Sequence, residues 1–263
     1  MVDIAELLTD LAAESDDLDR TVAPLSDVDL SRPTPSPGWT IAHQIAHLTW
    51  TDRVARLSIV DTDAFAEVLA EAFEDPTTFV DRGAVQGLAP PPELLSRWRT
   101  GRAALAEAIA GMPTDTRAPW FGTAMSAPSI ATGRLMETWA HGQDVADALG
   151  VVRRPTGRLR HIAYLGYRTL GHSFAVHGRR PPEDEVYVAL EAPDRTQWTF
   201  GPPDAGNRVA GPALDFCLLV TQRRNRADLA LQATGPVADE WLDVAQAFAG
   251  PPGTGREPAG VST

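Results

Sequence analysis

The segment Arg134-Leu135-Met136-Glu137-Thr138-Trp139-Ala140-His141 carries two metal-ligand side chains four residues apart. Because an α-helix turns once in about 3.6 residues, Glu137 and His141 lie on one face of a predicted helix, about one turn apart. His47 belongs to an earlier helical segment, Gly38-Trp39-Thr40-Ile41-Ala42-His43-Gln44-Ile45-Ala46-His47-Leu48. If the two helices pack together, two imidazoles and one carboxylate converge into a His₂Glu site that leaves a bound metal open to water or substrate. The spacing therefore predicts a metal site on a helical bundle.

The composition is that of a globular protein with no surface suited to nucleic acid. The chain has 263 residues, of which 43% are hydrophobic, enough for one large or two ordinary domains. Its formal net charge of -12 provides no basic patch for nucleic acid and is repelled by an anionic membrane. The chain contains no Lys, which excludes Schiff-base and lysine general-base chemistry from its own side chains. We therefore expect neither nucleic-acid nor membrane partners.

The single cysteine, Cys217, excludes an internal disulfide and any metal site built on two cysteines. It lies in the apolar run Ala213-Leu214-Asp215-Phe216-Cys217-Leu218-Leu219-Val220, where we expect a buried, unreactive thiol with no catalytic role. The acidic start of the chain lacks the basic and apolar regions of a secretory signal, and no apolar run reaches 18 residues. We therefore expect a cytoplasmic protein.

Apolar side chains at helical spacing predict four long helices in the first part of the chain. Thr40 is the expected N-cap of the second helix, and Gly150 is expected to end the fourth. A shorter acidic helix is predicted between the second and third long helices, over residues 63–73. The long helices are predicted over residues 4–24, 40–60, 93–112 and 126–149. Four such helices with ligands on one face are what a ligand-carrying bundle requires.

Three stretches between these helices are predicted to be loops because proline and glycine interrupt them. The first, residues 26–38, contains three prolines, and the last holds Pro119-Trp120-Phe121-Gly122. The middle stretch, residues 76–92, contains Gly83 and Gly87. We interpret that middle stretch as a candidate lid or entrance.

Beyond Pro155 the pattern changes to a mixture of helices and strands, which predicts a small α+β domain. Helices are predicted over residues 159–176, 214–221 and 237–248. Strands are predicted over residues 185–190, 196–200 and 228–233, the first two joined by a hairpin turn at Asp194-Arg195. The predicted domains are thus a metal-binding four-helix bundle (residues 1–152), an α+β domain (153–250) and a Pro- and Gly-rich tail (251–263) that we expect to be disordered.

Other polar side chains are candidates for the site. His43, one turn before His47, is the alternative ligand, and a site that used both would be nearly closed and suited to a structural metal. Asp144, three residues after His141, either orients an imidazole through its second nitrogen or is a solvated surface residue. Arg223 and Arg224 belong to a basic cluster that either lies at a solvated helix C-terminus or binds the carboxylate of a substrate.

The stretch from Pro35-Ser36-Pro37-Gly38-Trp39-Thr40 to His47-Leu48, together with Glu137-Thr138-Trp139-Ala140-His141-Gly142-Gln143-Asp144, resembles the N-terminal domain of mycothiol-dependent maleylpyruvate isomerases, within the DinB-like superfamily. The resemblance covers about residues 1–150. It implies a four-helix bundle that holds a divalent metal, usually zinc, through His47, Glu137 and His141, with nickel or iron as alternatives.

A second resemblance concerns the end of the chain. Gly211-Pro212-Ala213-Leu214-Asp215-Phe216 and residues 241–252 are similar to the C-terminal α+β domain of actinobacterial relatives of this family, which is related to sterol-carrier-like folds. The implied fold class is therefore α+β, with a DinB-like four-helix bundle followed by a small sterol-carrier-like domain.

In the family, the open metal position receives mycothiol as a thiolate, which adds to an electrophile. A cation that coordinates a thiol lowers its pKa and so makes a nucleophile at neutral pH. The resemblance implies a mycothiol-dependent isomerase or S-transferase-like metalloenzyme that acts on a small electrophilic substrate. Arg223 and Arg224 are the candidates, by position only, for the family's substrate-binding arginine.

Two alternatives stay open on the sequence alone. In the first, the same metal site activates water for hydrolysis, or acts as a Lewis acid without a thiol. In the second, the chain is a non-catalytic small-molecule binding or resistance protein whose bundle only retains a metal. The sequence leaves open the substrate and the oligomeric state.

Overall fold

A computed structural model of the protein describes residues 3–253 and 255–260. The chain divides between Arg153 and Arg154 into two compact units, the first almost entirely helical and the second mixed α and β. None of the helices in these described residues combines the length and the apolar character that a membrane span needs.

Four long helices form the first unit, as the apolar periodicity predicted. α3 lies at its centre and packs against α6, α5 and α7, while α1 packs against α7. The long helices are α1 (Ile4–Val22), α3 (Ile41–Val60), α6 (Pro91–Ala110) and α7 (Ala127–Leu149), and the shorter ones are α2 (Asp27–Leu30), α4 (Thr62–Glu74) and α5 (Phe79–Gly87). The contact between α3 and α7 joins the two helices that carry the predicted ligands.

The ends of α3 and α7 are set by local chemistry. Thr40 is the N-cap of α3, as predicted, and its backbone N–H donates to His43 Nδ1 at 3.3 Å. Ser126 caps α7 by accepting from the backbone N–H of Ser129 at 3.4 Å. Gly150 ends α7 with a φ of 67°, a left-handed conformation that glycine adopts without a steric penalty. These caps fix where each ligand falls on its helix.

The loop predicted over residues 76–92 is wrong, because residues 79–87 form α5, which packs against α3. The glycines that suggested a loop are needed for close helix packing. A Cβ added at Gly83 would lie 2.4 Å from the Trp50 ring, and one at Gly87 would lie 2.5 Å from the carbonyl oxygen of Ala46. Gly83 thus lets α5 pack on the Trp50 ring without interrupting the helix, and Gly87, at the end of α5, lets its backbone approach that of α3.

Two other predicted loops contain regular structure. Residues 26–38 include the single turn α2, whose N-cap Ser26 accepts from the backbone N–H of Asp29. The stretch around residues 119–122 is a short antiparallel hairpin of β1 (Ala118–Trp120) and β2 (Thr123–Met125). Gly122 lies in its turn with a φ of 78°. Both elements are too short to produce a recognisable apolar period.

In its described residues, the second unit is a four-stranded sheet with five helical segments. Its strands follow the order β4-β3-β5-β6, in which β3 and β5 are parallel and the other two pairs are antiparallel. The strands are β3 (Val186–Glu191), β4 (Gln197–Phe200), β5 (Asn207–Pro212) and β6 (Gln232–Thr234). The helices are α8 (Leu159–Arg168), α9 (Leu170–Val176), α10 (Ala213–Val220) and α11 (Pro236–Val244), with a 3₁₀ turn at Arg226–Asp228.

The sequence predicted the β3–β4 hairpin correctly, and Arg195 in its turn has a φ of 67°. Three details differ. The single helix predicted over residues 159–176 is divided at Thr169. The strand predicted over residues 228–233 is confined to β6. Strand β5 was not predicted, since its glycine and proline hide the alternating pattern.

The prediction that residues 251–263 are disordered stays a prediction. Part of that tail, Thr254 and residues 261–263, lies outside the described residues. In the described part, the carbonyl of Arg256 accepts from Asn225 Nδ2 at 2.7 Å, and the backbone N–H of Ala259 donates to the carboxylate of Asp228 at 2.9 Å.

The packing of α5 on α3 leads to a stability prediction. Gly83→Ala places a methyl group against the Trp50 ring, so we expect the free energy of unfolding to fall by about 1–3 kcal/mol. Gly101→Ala is the matched control, because it lies within α6 and its added Cβ meets no atom within 4 Å. Helix propensity alone should leave that variant unchanged or more stable by about 1 kcal/mol. Urea unfolding measures both, and equal midpoints for the two variants contradict the packing account.

Candidate metal centre

The packing of α3 against α7 brings His47, Glu137 and His141 together. One ligand atom from each lies within 4.8 Å of the others. Glu137 Oε2 lies 3.1 Å from His141 Nε2 and 3.5 Å from His47 Nε2. Within residues 3–253 and 255–260, this is the one group of three or more His, Cys, Asp or Glu side chains with metal-binding spacing. The side chains predicted from helical spacing thus meet, although ninety residues separate His47 from Glu137.

The site lies inside the bundle, and solvent reaches it mainly at the carboxylate. The side chains of His47 and His141 are 7% and 11% exposed, whereas that of Glu137 is 22% exposed. Trp39 stacks on His141 with ring centroids 6.0 Å apart, and it also lies 5.1 Å from the His47 ring. Trp50 contacts His47 with centroids 6.1 Å apart. Aromatic walls of this kind exclude water from the two imidazoles, which strengthens electrostatic interactions at the site.

The carboxylate of Glu137 is held in its charged form. Burial by itself raises the pKa of Glu137. Hydrogen bonds from His141 and His47, together with the charge of Arg134, lower that pKa by more than burial raises it. The net effect puts the pKa well below its usual range. The group therefore presents an anionic oxygen between two imidazoles at neutral pH.

This donor set fits a divalent cation. Two imidazole nitrogens and one carboxylate oxygen are the three protein ligands of known catalytic zinc sites, in which a fourth position is left to water or substrate. The negative charge of Glu137 would offset part of the charge of a divalent ion. Such an ion would lie between the three ligand atoms and bind all of them. His47, Glu137 and His141 are thus the residues of this chain that would hold the metal.

Gln44 faces the second ring nitrogen of His141, the contact that the sequence offered as one of two interpretations of Asp144; that role of Asp144 stays a prediction. Gln44 Oε1 lies 2.5 Å from His141 Nδ1, the ring nitrogen that faces away from Glu137. Asp144 is fully buried instead of solvated, and it accepts a hydrogen bond from Ser36 Oγ at 3.1 Å. A carboxylate one turn after His141 was the obvious candidate, whereas a neutral amide on the other helix was not.

His43 lies outside the group of three ligands in the described part of the chain. Its Nδ1 atom lies 2.8 Å from Thr40 Oγ1 and also accepts from the backbone N–H of Thr40. The imidazole thus caps the first turn of α3. This contact accounts for a histidine at that position without a metal.

A buried ion pair lies one turn before Glu137, and the sequence analysis missed it. Arg134 Nε donates to Asp52 Oδ1 at 2.9 Å, and the guanidinium also donates to Thr51 Oγ1 at 2.7 Å. Both charged side chains are less than 10% exposed. The sequence did contain one indication of the pair. Asp52 follows the buried Leu48 by one turn of α3, so a charged residue falls at a core position. The pair links α3 to α7 beside the ligands.

The remaining candidates lie in the second unit. Arg223 and Arg224 are half-buried after α10 and donate to the carbonyls of Thr221 and Arg223, respectively. Arg226 of the same cluster pairs with Asp239 and Asp243, so it supports the fold of that unit. Their use in substrate binding stays a prediction. Cys217 is fully buried, as expected, and burial raises the pKa of its thiol.

Comparisons with known proteins identify the family of the helical unit. The family model of the mycothiol maleylpyruvate isomerase N-terminal domain matches residues 11–146. Two uncharacterized proteins from two strains of Mycobacterium tuberculosis are 52% identical to the chain over 257 residues, which cover 97% of this chain and 100% of each relative.

The solved structures that match share the fold at low sequence identity. A crystal structure of the mycothiol-dependent maleylpyruvate isomerase has a TM-score of 0.57 at 16% identity, covering 88% of this chain and 93% of that one. A histidine-to-alanine mutant of the isomerase has a TM-score of 0.55 at 16% identity, covering 84% and 90%. Together with the family model, this likeness in fold confirms the predicted α+β class with a helical domain of that family at its N-terminus.

The buried ion pair gives the second stability prediction. Arg134→Met leaves the Asp52 carboxylate buried without its partner, which should lower the free energy of unfolding by about 3–5 kcal/mol. Adding Asp52→Leu removes the orphaned charge and should recover most of that loss. Arg97→Met is the control, because it breaks an exposed i,i+4 pair with Glu93 and should cost about 1 kcal/mol or less. Urea unfolding of the metal-free variants tests this, and equal losses in the single and double variants contradict it.

Proposed function

The chain belongs to the family of the mycothiol maleylpyruvate isomerase N-terminal domain, and on that premise we propose that it is a metal-dependent enzyme using a low-molecular-weight thiol. In this proposal His47, Glu137 and His141 bind a divalent ion, zinc in the first instance. Mycothiol is the co-substrate, and a small electrophile is the substrate. The supporting observation is the convergence of the three ligand atoms within 4.8 Å, with one side of the site reaching solvent.

A bound divalent ion supplies a Lewis acid that lowers the pKa of a coordinated thiol, so the thiolate is the form present at neutral pH. The contributions of the chain itself are positional. His47 and His141 offer ring nitrogens, and Glu137 offers a negative charge that would keep the ion in the bundle. Trp39 and Trp50 exclude water from the imidazole side of the site. The open side of the site is therefore the side of the Glu137 carboxylate, from which an external ligand would approach.

The thiol must come from outside the protein. Cys217 is the single cysteine of the chain, it is buried, and its raised pKa keeps it protonated at neutral pH. It therefore provides no nucleophile. An external thiol that adds to a carbon–carbon double bond forms a new C–S bond and places its proton on the adjacent carbon or on solvent. Later loss of that thiol gives an isomer, whereas its retention gives a thioether, so isomerisation and S-transfer share one first step.

The metal content of purified variants tests the ligand set. We expect about one zinc ion per wild-type chain, and none in His141→Ala or Glu137→Gln, because each variant removes one of only three protein donors. His43→Ala is the matched control, since this imidazole caps α3 and should leave the zinc content unchanged. Elemental analysis of fresh protein measures the content. Loss of zinc from His43→Ala would instead favour the alternative site with both histidines as ligands.

Assays of candidate electrophiles with and without mycothiol test the reaction. We expect turnover of unsaturated 2-oxo acids such as maleylpyruvate to require mycothiol and to be abolished in His141→Ala. Cys217→Ala should retain the thiol-dependent rate within about two-fold, because the buried side chain has no part in the chemistry. Turnover that needs no thiol would favour a metal-dependent hydrolase or Lewis-acid enzyme. Binding of an electrophile without turnover would favour a non-catalytic binding protein.

A further inference from the structure

The hydrogen bonds behind His141 form a chain that ends at a backbone carbonyl. The carbonyl oxygen of Trp39 accepts from Thr34 Oγ1 at 3.0 Å, and Thr34 Oγ1 in turn accepts from Gln44 Nε2 at 2.9 Å. Gln44 Oε1 then lies 2.5 Å from His141 Nδ1. Four groups from the loop before α3, from α3 itself and from α7 are therefore linked in series.

The direction of every proton in this chain follows from its first member. A carbonyl oxygen only accepts, so Thr34 must donate its single hydroxyl proton to Trp39 and has only lone pairs left for Gln44. The Gln44 amide then directs its NH₂ group to Thr34 and its oxygen to His141. Because that oxygen also only accepts, His141 Nδ1 carries a proton. We propose that Gln44 is a positioning residue that holds His141 with Nδ1–H donated to its amide oxygen and Nε2 directed at the metal position.

Burial makes this arrangement rigid. The side chain of Gln44 is fully buried, and the His141 side chain is only 11% exposed, so water does not compete for the hydrogen bond between them. The loop that carries Thr34 is held by a backbone bridge between Pro33 and Thr40. The backbone N–H of Thr34 also donates to the Trp39 carbonyl, at 2.8 Å. Rotation of the amide would break both hydrogen bonds of Gln44, to Thr34 and to His141.

The two histidines of the site differ in this respect. In the described residues, His47 Nδ1 is buried and has no hydrogen-bond partner, so on the side away from Glu137 its ring is held only by packing between Trp39 and Trp50. Of the two rings, His141 is the one whose outward nitrogen meets a polar group, which fixes its tautomer and its ring angle. Outer partners of this kind raise ligand basicity, and their loss typically weakens metal binding by about 10- to 100-fold. The inference rests on the proposed metal site. It adds Gln44 as the residue that orients one of the ligands, His141.

Zinc affinity of two Gln44 variants separates positioning from packing. Gln44→Leu keeps the volume but removes the acceptor, so zinc should bind about 10- to 100-fold more weakly. Gln44→Glu retains an oxygen acceptor for Nδ1–H, so zinc affinity should stay at least that of the wild type. Competition with a chelating indicator measures both, with urea unfolding midpoints to show that the variants are folded. Wild-type affinity in Gln44→Leu, or an equal loss in both variants, would overturn the proposal.

The protonation of His141 gives a readout that does not depend on zinc. In the metal-free wild type labelled with ¹⁵N-histidine, we expect a protonated Nδ1 whose proton exchanges slowly, and we expect fast exchange in Gln44→Leu. His141→Ala assigns the signal among the six histidines. An unprotonated Nδ1 in the wild type would mean that the amide is reversed, and it would overturn the inference. Absence of zinc binding by the wild type would instead reject the proposed function, so the two failures are distinguishable.

Discussion

The negative charge of a carboxylate inside a helical bundle needs hydrogen-bond donors or positive charges around it, and Glu137 has both. Two imidazole nitrogens lie within 3.5 Å of its Oε2 atom, and the charge of Arg134 lies one turn away on the same helix. Removing such a group from water without partners costs several kcal/mol, so the contact between α3 and α7 depends on these interactions. A divalent ion would satisfy the same carboxylate more completely than the imidazoles do. The contacts that hold α3 against α7 at Glu137 are therefore the same contacts that form the candidate metal site.

Helix packing delivers the precision that a metal site needs. α3 contacts α5, α6 and α7 at once, and Gly83 lets α5 approach the Trp50 ring, which in turn contacts His47. The Arg134–Asp52 pair ties α3 to α7 next to the ligands. A structure at 16% identity shares this fold, so two largely different sets of core residues build it. What makes a chain a candidate enzyme is the small polar set placed on the facing sides of two helices.

The sequence predicted the long helices, and it placed Glu137 and His141 on one helix face, because both follow the same 3.6-residue period. It failed where a residue type has two uses. Gly83 and Gly87 break helices in general but here allow close packing, and the glycine and proline of β5 concealed a strand. Gln44 was missed although a polar side chain sits at a core position, three residues after the buried Ile41. The role of Gln44 depends on its contact with His141, ninety-seven residues away, and a local sequence pattern does not reveal such a contact. The long helices and the shared face of Glu137 and His141 are therefore readable from local periodicity, whereas the groups that orient these side chains require the tertiary structure.

The central claim is that three protein side chains hold a metal whose remaining position is taken by an external thiol. X-ray absorption at the zinc edge tests it directly, because a Zn–S distance of about 2.3 Å is distinct from Zn–N and Zn–O distances of about 2.0–2.2 Å. The account predicts only nitrogen and oxygen neighbours in the protein as purified, and one sulfur neighbour after mycothiol is added. A spectrum that shows no sulfur neighbour at saturating mycothiol would contradict it.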